Sequence, residues 1–137
     1  MASTANPDQP FDYDEARRTF RWPVPEFFNF AVDTIGGWAA DPGHLAMLHV
    51  DQHGQERRIT FADFAGRSDR LAAGLAAQGV GPGDKVLVVL PRVPEWWESI
   101  LAVMKLGAIS LPGTTLLTAR DLAYRIGRAE AKAIITD

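Results

Sequence analysis

Four groups of residues have types and spacing that could do chemistry. His44, His49 and His53 fall within one short stretch and invite a metal reading. Gly79-Val80-Gly81-Pro82-Gly83 is rich enough in glycine to suggest a phosphate cradle. Arg92, inside Pro91-Arg92-Val93-Pro94-Glu95-Trp96-Trp97, could meet a phosphate or carboxylate. Leu111-Pro112-Gly113-Thr114-Thr115-Leu116 offers hydroxyls and open backbone to line a pocket.

Position separates these candidates. The histidines lie in a loop, a strand and a hairpin tip, without a placed carboxylate partner, which describes surface or edge histidines. No metal site is expected. A phosphate cradle follows a strand and opens a helix. The glycine run follows a helix and precedes a strand, so it reads as a helix stop and turn. The Arg92 and Thr114-Thr115-Leu116 segments do follow strands and precede helices, where open α/β sheets place ligands. Against them stand two plain alternatives: a solvated arginine in a proline-shaped loop, and a turn with capping threonines. The paired tryptophans read as core anchors. No Ser/His/Asp arrangement has the context of a nucleophile.

The elements that must position these loops follow from the pattern. Met1–Pro10 is small and polar and reads as disordered. Residues 11–22 mix aromatics with Arg17, Arg18 and Arg21, as a short amphipathic helix or a packing arm would, ended by Pro23 and Pro25. Phe28, Val32, Ile35 and Trp38 or Ala39 recur at helical spacing up to Asp41-Pro42-Gly43. Leu45–Val50 and 57–60 make a hairpin around Asp51–Gln55. Thr60 and Asp63 have the form of a capping box, predicting a helix over 61–78 that ends at Gly79. Its inward face is Phe61, Phe64, Ser68, Leu71 and Leu75.

From residue 85 the order is strand, helix, strand, helix, strand. Val86–Leu90 is a continuous apolar run, as in a strand buried on both faces. Pro94 suits a first helical turn, and Trp97, Ile100, Leu101 and Met104 form the expected inward stripe up to Lys105 and Gly107. Ala108–Leu111 is a second strand, closed by Pro112 and Gly113. Thr118 and Asp121 repeat the capping box for a helix facing inward through Leu122, Ile126 and Ala129. Ala133–Thr136 is a third strand. The fold class is therefore α/β: a partial N-terminal subdomain with a three-strand parallel βαβαβ sheet, preceded by a β-hairpin and helices.

Strands laid down in one direction would put both crossover helices on a single face. Helix 61–78 could then cover part of the other face, and the last strand would lack cover. This makes the domain look incomplete and leaves an open sheet where a protein partner could dock. The predicted division is an N-terminal arm, 1–27, and an incomplete portion of a larger domain, 28–137.

Composition limits the function classes. The net charge of −3 lacks the concentrated basic face that nucleic-acid binding requires. The absence of cysteine excludes disulfides and thiolate-held metals. No apolar run approaches the ~20 residues of a membrane span, and the first ten residues do not form a secretory signal. The default localisation is cytoplasmic.

Phe28-Asn29-Phe30-Ala31, Gly79 through Val86, Pro91 through Trp97, and Leu111 through Thr115 continuing to Asp121-Leu122-Ala123-Tyr124-Arg125 together resemble one family. It is the adenylate-forming (AMP-dependent) acyl-CoA synthetases, and the second and third of the loop motifs look most like its medium-chain branch. The resemblance implies a two-step ligase. A fatty acid or related carboxylate attacks the α-phosphate of ATP to give an acyl-adenylate, and CoA then displaces AMP. Mg2+ would assist the first step by neutralising phosphate charge. Family members are several times longer. Their phosphate loop, adenine- and ribose-binding motifs and catalytic lysine lie beyond residue 137, so no catalytic residue is carried over. Thr114, Thr115 and Leu116 correspond to a segment near the acyl and CoA pocket, where relatives often have glutamine at the position of Leu116. This chain alone is expected to be inactive and to bind ATP, Mg2+ or CoA at most weakly. The other reading is a non-catalytic interaction module, or a split-protein subunit completed by a partner chain.

Overall fold

The computed structural model describes residues 11–137. The expectation for Met1–Pro10 lies outside the described residues. Helix α1, Tyr13–Thr19, is capped by Asp12, whose carboxylate accepts the Glu15 N–H. None of its residues is buried and only Ala16 is half-buried, so the amphipathic segment forms a largely exposed helix.

A π-helical turn, Phe30–Thr34, runs into helix α2, Ile35–Ala39. The wider π turn changes the phase of the inward face. The buried residues are Ala31 and Ile35, whereas Phe28 and Val32 of the expected stripe are exposed. Asn29 fixes this entry. Its Oδ1 accepts the Ala31 N–H at 3.0 Å, while its Nδ2 donates to the Met104 carbonyl at 2.7 Å.

Strands β1, Leu45–Val50, and β2, Glu56–Thr60, form the expected antiparallel hairpin, with Gly54 at a positive φ in its tip. Helix α3, Phe61–Ala77, opens on the predicted capping box. Thr60 Oγ1 accepts the Asp63 N–H, and the Asp63 carboxylate accepts the Thr60 N–H. Gly79, at φ +86, carries the chain out of the helix.

Strand β3, Lys85–Val89, then helix α4, Pro94–Lys105, strand β4, Ile109–Gly113, helix α5, Ala119–Ala129, and strand β5, Ala133–Thr136, complete the chain. The three strands are parallel, in the order β4-β3-β5. This order corrects the single-face expectation. The chain moves from β3 to one neighbour and then crosses back over β3 to the other. Right-handed crossovers of opposite direction put their helices on opposite faces. Val86 and Val88 face Val103 of α4, and Leu87 faces Tyr124, Arg125 and Ala129 of α5.

Helix α3 is on the α4 side, where Leu75 joins the Val80, Val86, Val88 and Val103 cluster, so it does not cover the second face. Helix α4 is thereby packed on two sides. Its buried arc contains Ser99, Leu101, Ala102 and Val103, while Trp97 and Met104 of the expected stripe are 42% and 37% exposed. Small residues at Ser99, Ala102, Ser68 and Ala72 suit close helix packing, and the Ser99 and Ser68 hydroxyls donate to the carbonyls of Glu95 and Phe64. Lys105 spans the α3–α4 seam, its ammonium donating to the Ala65 carbonyl and the Asp69 carboxylate.

Strand β4 also runs further than expected, pairing Pro112 with Val88 and Gly113 with Val89. An edge strand tolerates a proline that a central strand would not. The second face is covered only in part. Helix α5 has no fully buried residue, and Ile109 and Ile134 on the flanking strands are 47% and 46% exposed.

The amino edge is tied together by Asp84. Its carboxylate accepts the Gly81 N–H and the Lys132 ammonium, both at 2.8 Å, and its carbonyl accepts the Ile109 N–H at 2.8 Å. The Lys132 ammonium, followed by the Gly81 N–H, holds this carboxyl below its ordinary 3.8. A carboxyl with a depressed folded pKa stabilises the fold above its unfolded value. That contribution is lost as pH falls through the folded value. Asp84→Asn is therefore expected to lower the urea midpoint at neutral pH, with the gap to the parent closing as pH drops below 3.8. Leu87→Ala, at a fully buried central position, is expected to cost about 2–5 kcal/mol in the same urea titration.

Candidate functional site

The carboxyl edge of the sheet holds both loops that the sequence singles out. Val89, the last residue of β3, pairs with Gly113 on one side and Thr136 on the other. The loop after β3 therefore emerges beside the loop after β4. The connections that leave β3 and β4 run on opposite faces of the sheet, and open sheets bind ligands at the carboxyl ends of strands where connections part. The Arg92 loop rises from β3 directly next to it.

Arg92 is exposed and makes no hydrogen bond or ion pair among the described residues. It lines an open hollow of about 460 Å³ with Leu90, Pro91, Trp96 and Trp97. The two indoles meet edge to face, with centroids 5.1 Å apart. Trp96 packs into the α4 cluster and is the anchor expected of both. Trp97 is 42% exposed, because the next residue on a helix turns ~100° away from its neighbour. Glu95 in the first turn lies 3.7 Å from Arg57 of the hairpin, which ties β2 to the start of α4.

In the second loop, Thr114 and Thr115 are exposed and Leu116 is 86% exposed. Thr114 organises the turn. Its Oγ1 accepts the Leu116 N–H at 3.3 Å and its carbonyl accepts the Leu117 N–H at 3.2 Å. Thr118 caps α5 by accepting the Asp121 N–H, and the Asp121 carboxyl, accepting from the Thr118 hydroxyl and N–H, titrates below its ordinary value. The turn with a capping threonine is thus present, and it leaves the Thr115 and Leu116 side chains free. Sequence reasoning missed Leu117, which is half-buried and lies over Gly113 and Val89. Its signal was an apolar residue one place before a capping threonine, the position of a hydrophobic staple.

The remaining candidates are structural. The glycine run lies at the amino edge, opposite both loops, and shapes the Asp84 turn. His44 packs edge-on against Phe61 with centroids 4.8 Å apart, while His49 is in β1 and His53 at the hairpin tip. Among the described residues no group of three or more His, Asp or Glu side chains could hold a metal ion. No helix among them is long and apolar enough to cross a membrane.

A three-strand parallel sheet with two exposed loops at its carboxyl edge defines a piece of an α/β domain. The chain belongs to the AMP-binding enzyme family, whose model matches residues 37–137. It is similar to the human protein named acyl-coenzyme A synthetase ACSM3, mitochondrial. Identity is 35%, covering 98% of this chain and 24% of that protein. It is also similar to rat acyl-coenzyme A synthetase ACSM5, mitochondrial, with 42% identity covering 83% and 21%. The chain thus spans about a quarter of the length of these relatives. Among solved structures, an acyl-CoA synthetase from Brucella canis superposes with a TM-score of 0.77 at 26% identity, covering 93% of this chain and 23% of that one. The N-terminal subdomain of Klebsiella oxytoca NpsA superposes with a TM-score of 0.65 at 28% identity, covering 78% and 26%.

The packing separates the adjacent indoles. Trp96→Ala is expected to cost about 3–5 kcal/mol and Trp97→Ala clearly less. Arg92→Ala is expected to change stability by no more than about 0.5 kcal/mol. Urea titrations of the three variants check the order.

Proposed function

We propose that this chain is the N-terminal portion of an ATP-dependent acyl-CoA synthetase, inactive by itself. In the whole reaction a fatty acid or related carboxylate forms an acyl-adenylate, releasing pyrophosphate, and CoA then takes the acyl group, releasing AMP. The observation that carries the reading is the pair of loops at the carboxyl edge, in a chain of this family that has no phosphate loop of its own. Within this reading, residues 28–137 form the domain portion and residues 1–27 its arm. Thr114, Thr115 and Leu116 face the acyl and CoA pocket, and Arg92 offers a contact to an anionic group.

Among the described residues no group of three or more His, Asp or Glu side chains could hold the magnesium ion, so no step is assigned to it on this chain. ATP and CoA belong to the whole enzyme. The absence of cysteine is compatible with a reducing cytoplasm, whereas the mammalian relatives are named as mitochondrial. Fractionation of the native host separates the two settings.

A second reading rests on the half-covered second face. Ile109 and Leu111 of β4 and Ile134 of β5 leave an apolar surface beside α5 that a partner chain could cover. In that case the chain acts as an interaction module or as one subunit of a split enzyme.

Isothermal titration tests the first reading. The chain alone is expected to show no submicromolar binding of ATP or of a non-hydrolysable acyl-adenylate analogue. Submicromolar binding of either would overturn the claim that the nucleotide site lies elsewhere. Size-exclusion chromatography tests the second: a clean, folded monomer argues against a docking face.

A further inference from the structure

Helix α5 crosses back over β3 toward β5, which leaves the second-face side chains of β4 open. Two open hollows of about 440 and 570 Å³ lie between the helix and that strand. They share Leu111, Arg128 and Ala129, so they form one groove with Ile109 and Leu111 as its apolar floor. Its wall is cationic. The Arg125 and Arg128 side chains are exposed and make no hydrogen bond or ion pair among the described residues, and Lys85 lines the amino end. The carboxylates nearby are Glu130, which lines the same end, and Asp121, one turn before Arg125. Gly127 also lines the wall and leaves room there for another chain to come close.

The arm carries the complementary chemistry. Phe11 and Tyr13 are exposed aromatics, and the Asp14 and Glu15 carboxylates, in the first turn of α1, have no partner among the described residues. Arg17 and Arg18 are kept to the last turn, at the far end of the helix. We propose that the arm of one copy seats in the α5–β4 groove of a second copy, with Phe11 and Tyr13 on Ile109 and Leu111, and Asp14 and Glu15 on Arg125 and Arg128. This rests on the reading of the half-covered second face as a docking surface, and names its occupant. Apolar contact supplies the affinity, and the matched charges fix the partner and its register. The arm is rooted where Asn29 meets the Met104 carbonyl, on the α4 side of the sheet. The groove is on the opposite side, so an arm entering its own groove must turn round the sheet edge. Two copies that exchange arms about a twofold axis make the contact twice and close the pair.

Sedimentation of the full chain over a concentration series tests this. The parent is expected to pass from monomer to dimer as concentration rises, and the dimer to weaken as salt is added. The arm variant reverses Asp14→Lys and Glu15→Lys, and the groove variant reverses Arg125→Glu and Arg128→Glu. Each alone is expected to dimerise at least about tenfold more weakly. Mixed, the two are expected to pair with each other about as tightly as the parent, because each arm then meets a groove of opposite sign. Phe11→Ala with Tyr13→Ala is expected to weaken the dimer about tenfold without lowering the urea midpoint, since both rings are exposed. That variant reads the contact even where a charge reversal disturbs a helix. Mixed variants that stay monomeric would sink the arm exchange. So would protection of the arm amides from hydrogen exchange that is independent of concentration, which marks an arm in its own groove. Ile109→Asp, on the groove floor, separates the exchange from the reading beneath it. A dimer that Ile109→Asp dissolves and the arm variants leave intact overturns the arm as occupant and keeps the second face as a docking surface. A parent that stays monomeric at every concentration, or a dimer indifferent to every variant, overturns both.

Discussion

The sheet depends on the carboxylate of Asp84. One side chain and one carbonyl of that residue meet three separate parts of the chain: the turn at Gly81, the start of β4 at Ile109, and Lys132 at the threshold of β5. Lys85, its neighbour, accepts the Lys132 N–H at 2.8 Å. The register of both parallel ladders is therefore set within two residues. Parallel pairing is held by evenly spaced, slanted hydrogen bonds, and its strands are joined by long crossovers. A fixed start is what prevents a slip that would turn Val86 and Val88 away from α4. The exposed ion pair alone would be worth little. Its weight comes from a half-buried carboxylate that also satisfies the Gly81 N–H in the turn.

Pinning the amino edge explains how the carboxyl edge can hold the loops. The turn residues Gly81, Gly83 and Asp84 serve geometry, with Gly83 at φ +79 donating its N–H to the Gly107 carbonyl. At the other end Arg92, Thr115 and Leu116 have no structural work among the described residues and are exposed. The sheet thus separates an edge tied together by Asp84 from an edge whose loops carry exposed side chains. Asn29 plays a comparable part beneath α4, donating to the Met104 carbonyl in the last helical turn, which also accepts the Gly107 N–H.

What could be read from the sequence follows this division. The two capping boxes, Thr60 with Asp63 and Thr118 with Asp121, are local, and so were legible, as were Pro94 at a first turn and Gly79 past a last one. The apolar run of β3 showed a strand covered on both faces. Strand order did not show, because β4-β3-β5 and a sequential order share the same local pattern. The helix faces were misjudged for a related reason. A stripe drawn for one partner favours Trp97 and Met104, but α4 has two partners, and its closest contacts use Ser99 and Ala102. In the site, loop positions were legible from the strand-loop-helix alternation, while the seat of Leu117 on Gly113 depends on a pairing with Val89 that only the folded sheet makes.

The two hydrophobic clusters meet in α4. Leu101 joins Ala31, Ile35, Ile59 and Phe64, while Val103 joins the sheet. The hairpin, the π turn and α3 therefore share a core with the sheet through one helix, and one face of the sheet is closed by this chain's own residues. The other face depends on α5, which is held at its start by a capping box and contributes only half-buried Leu122, Ile126 and Ala129. Apolar area left in water forgoes about 25 cal/mol per Å². Leu87 and Val89 of the central strand are covered, while Ile134 beside Leu87 and Ile109 beside Lys85 are exposed, so the deficit falls on the edge strands. Any surface that completes this domain gains most by reaching past α5 to β4 and β5.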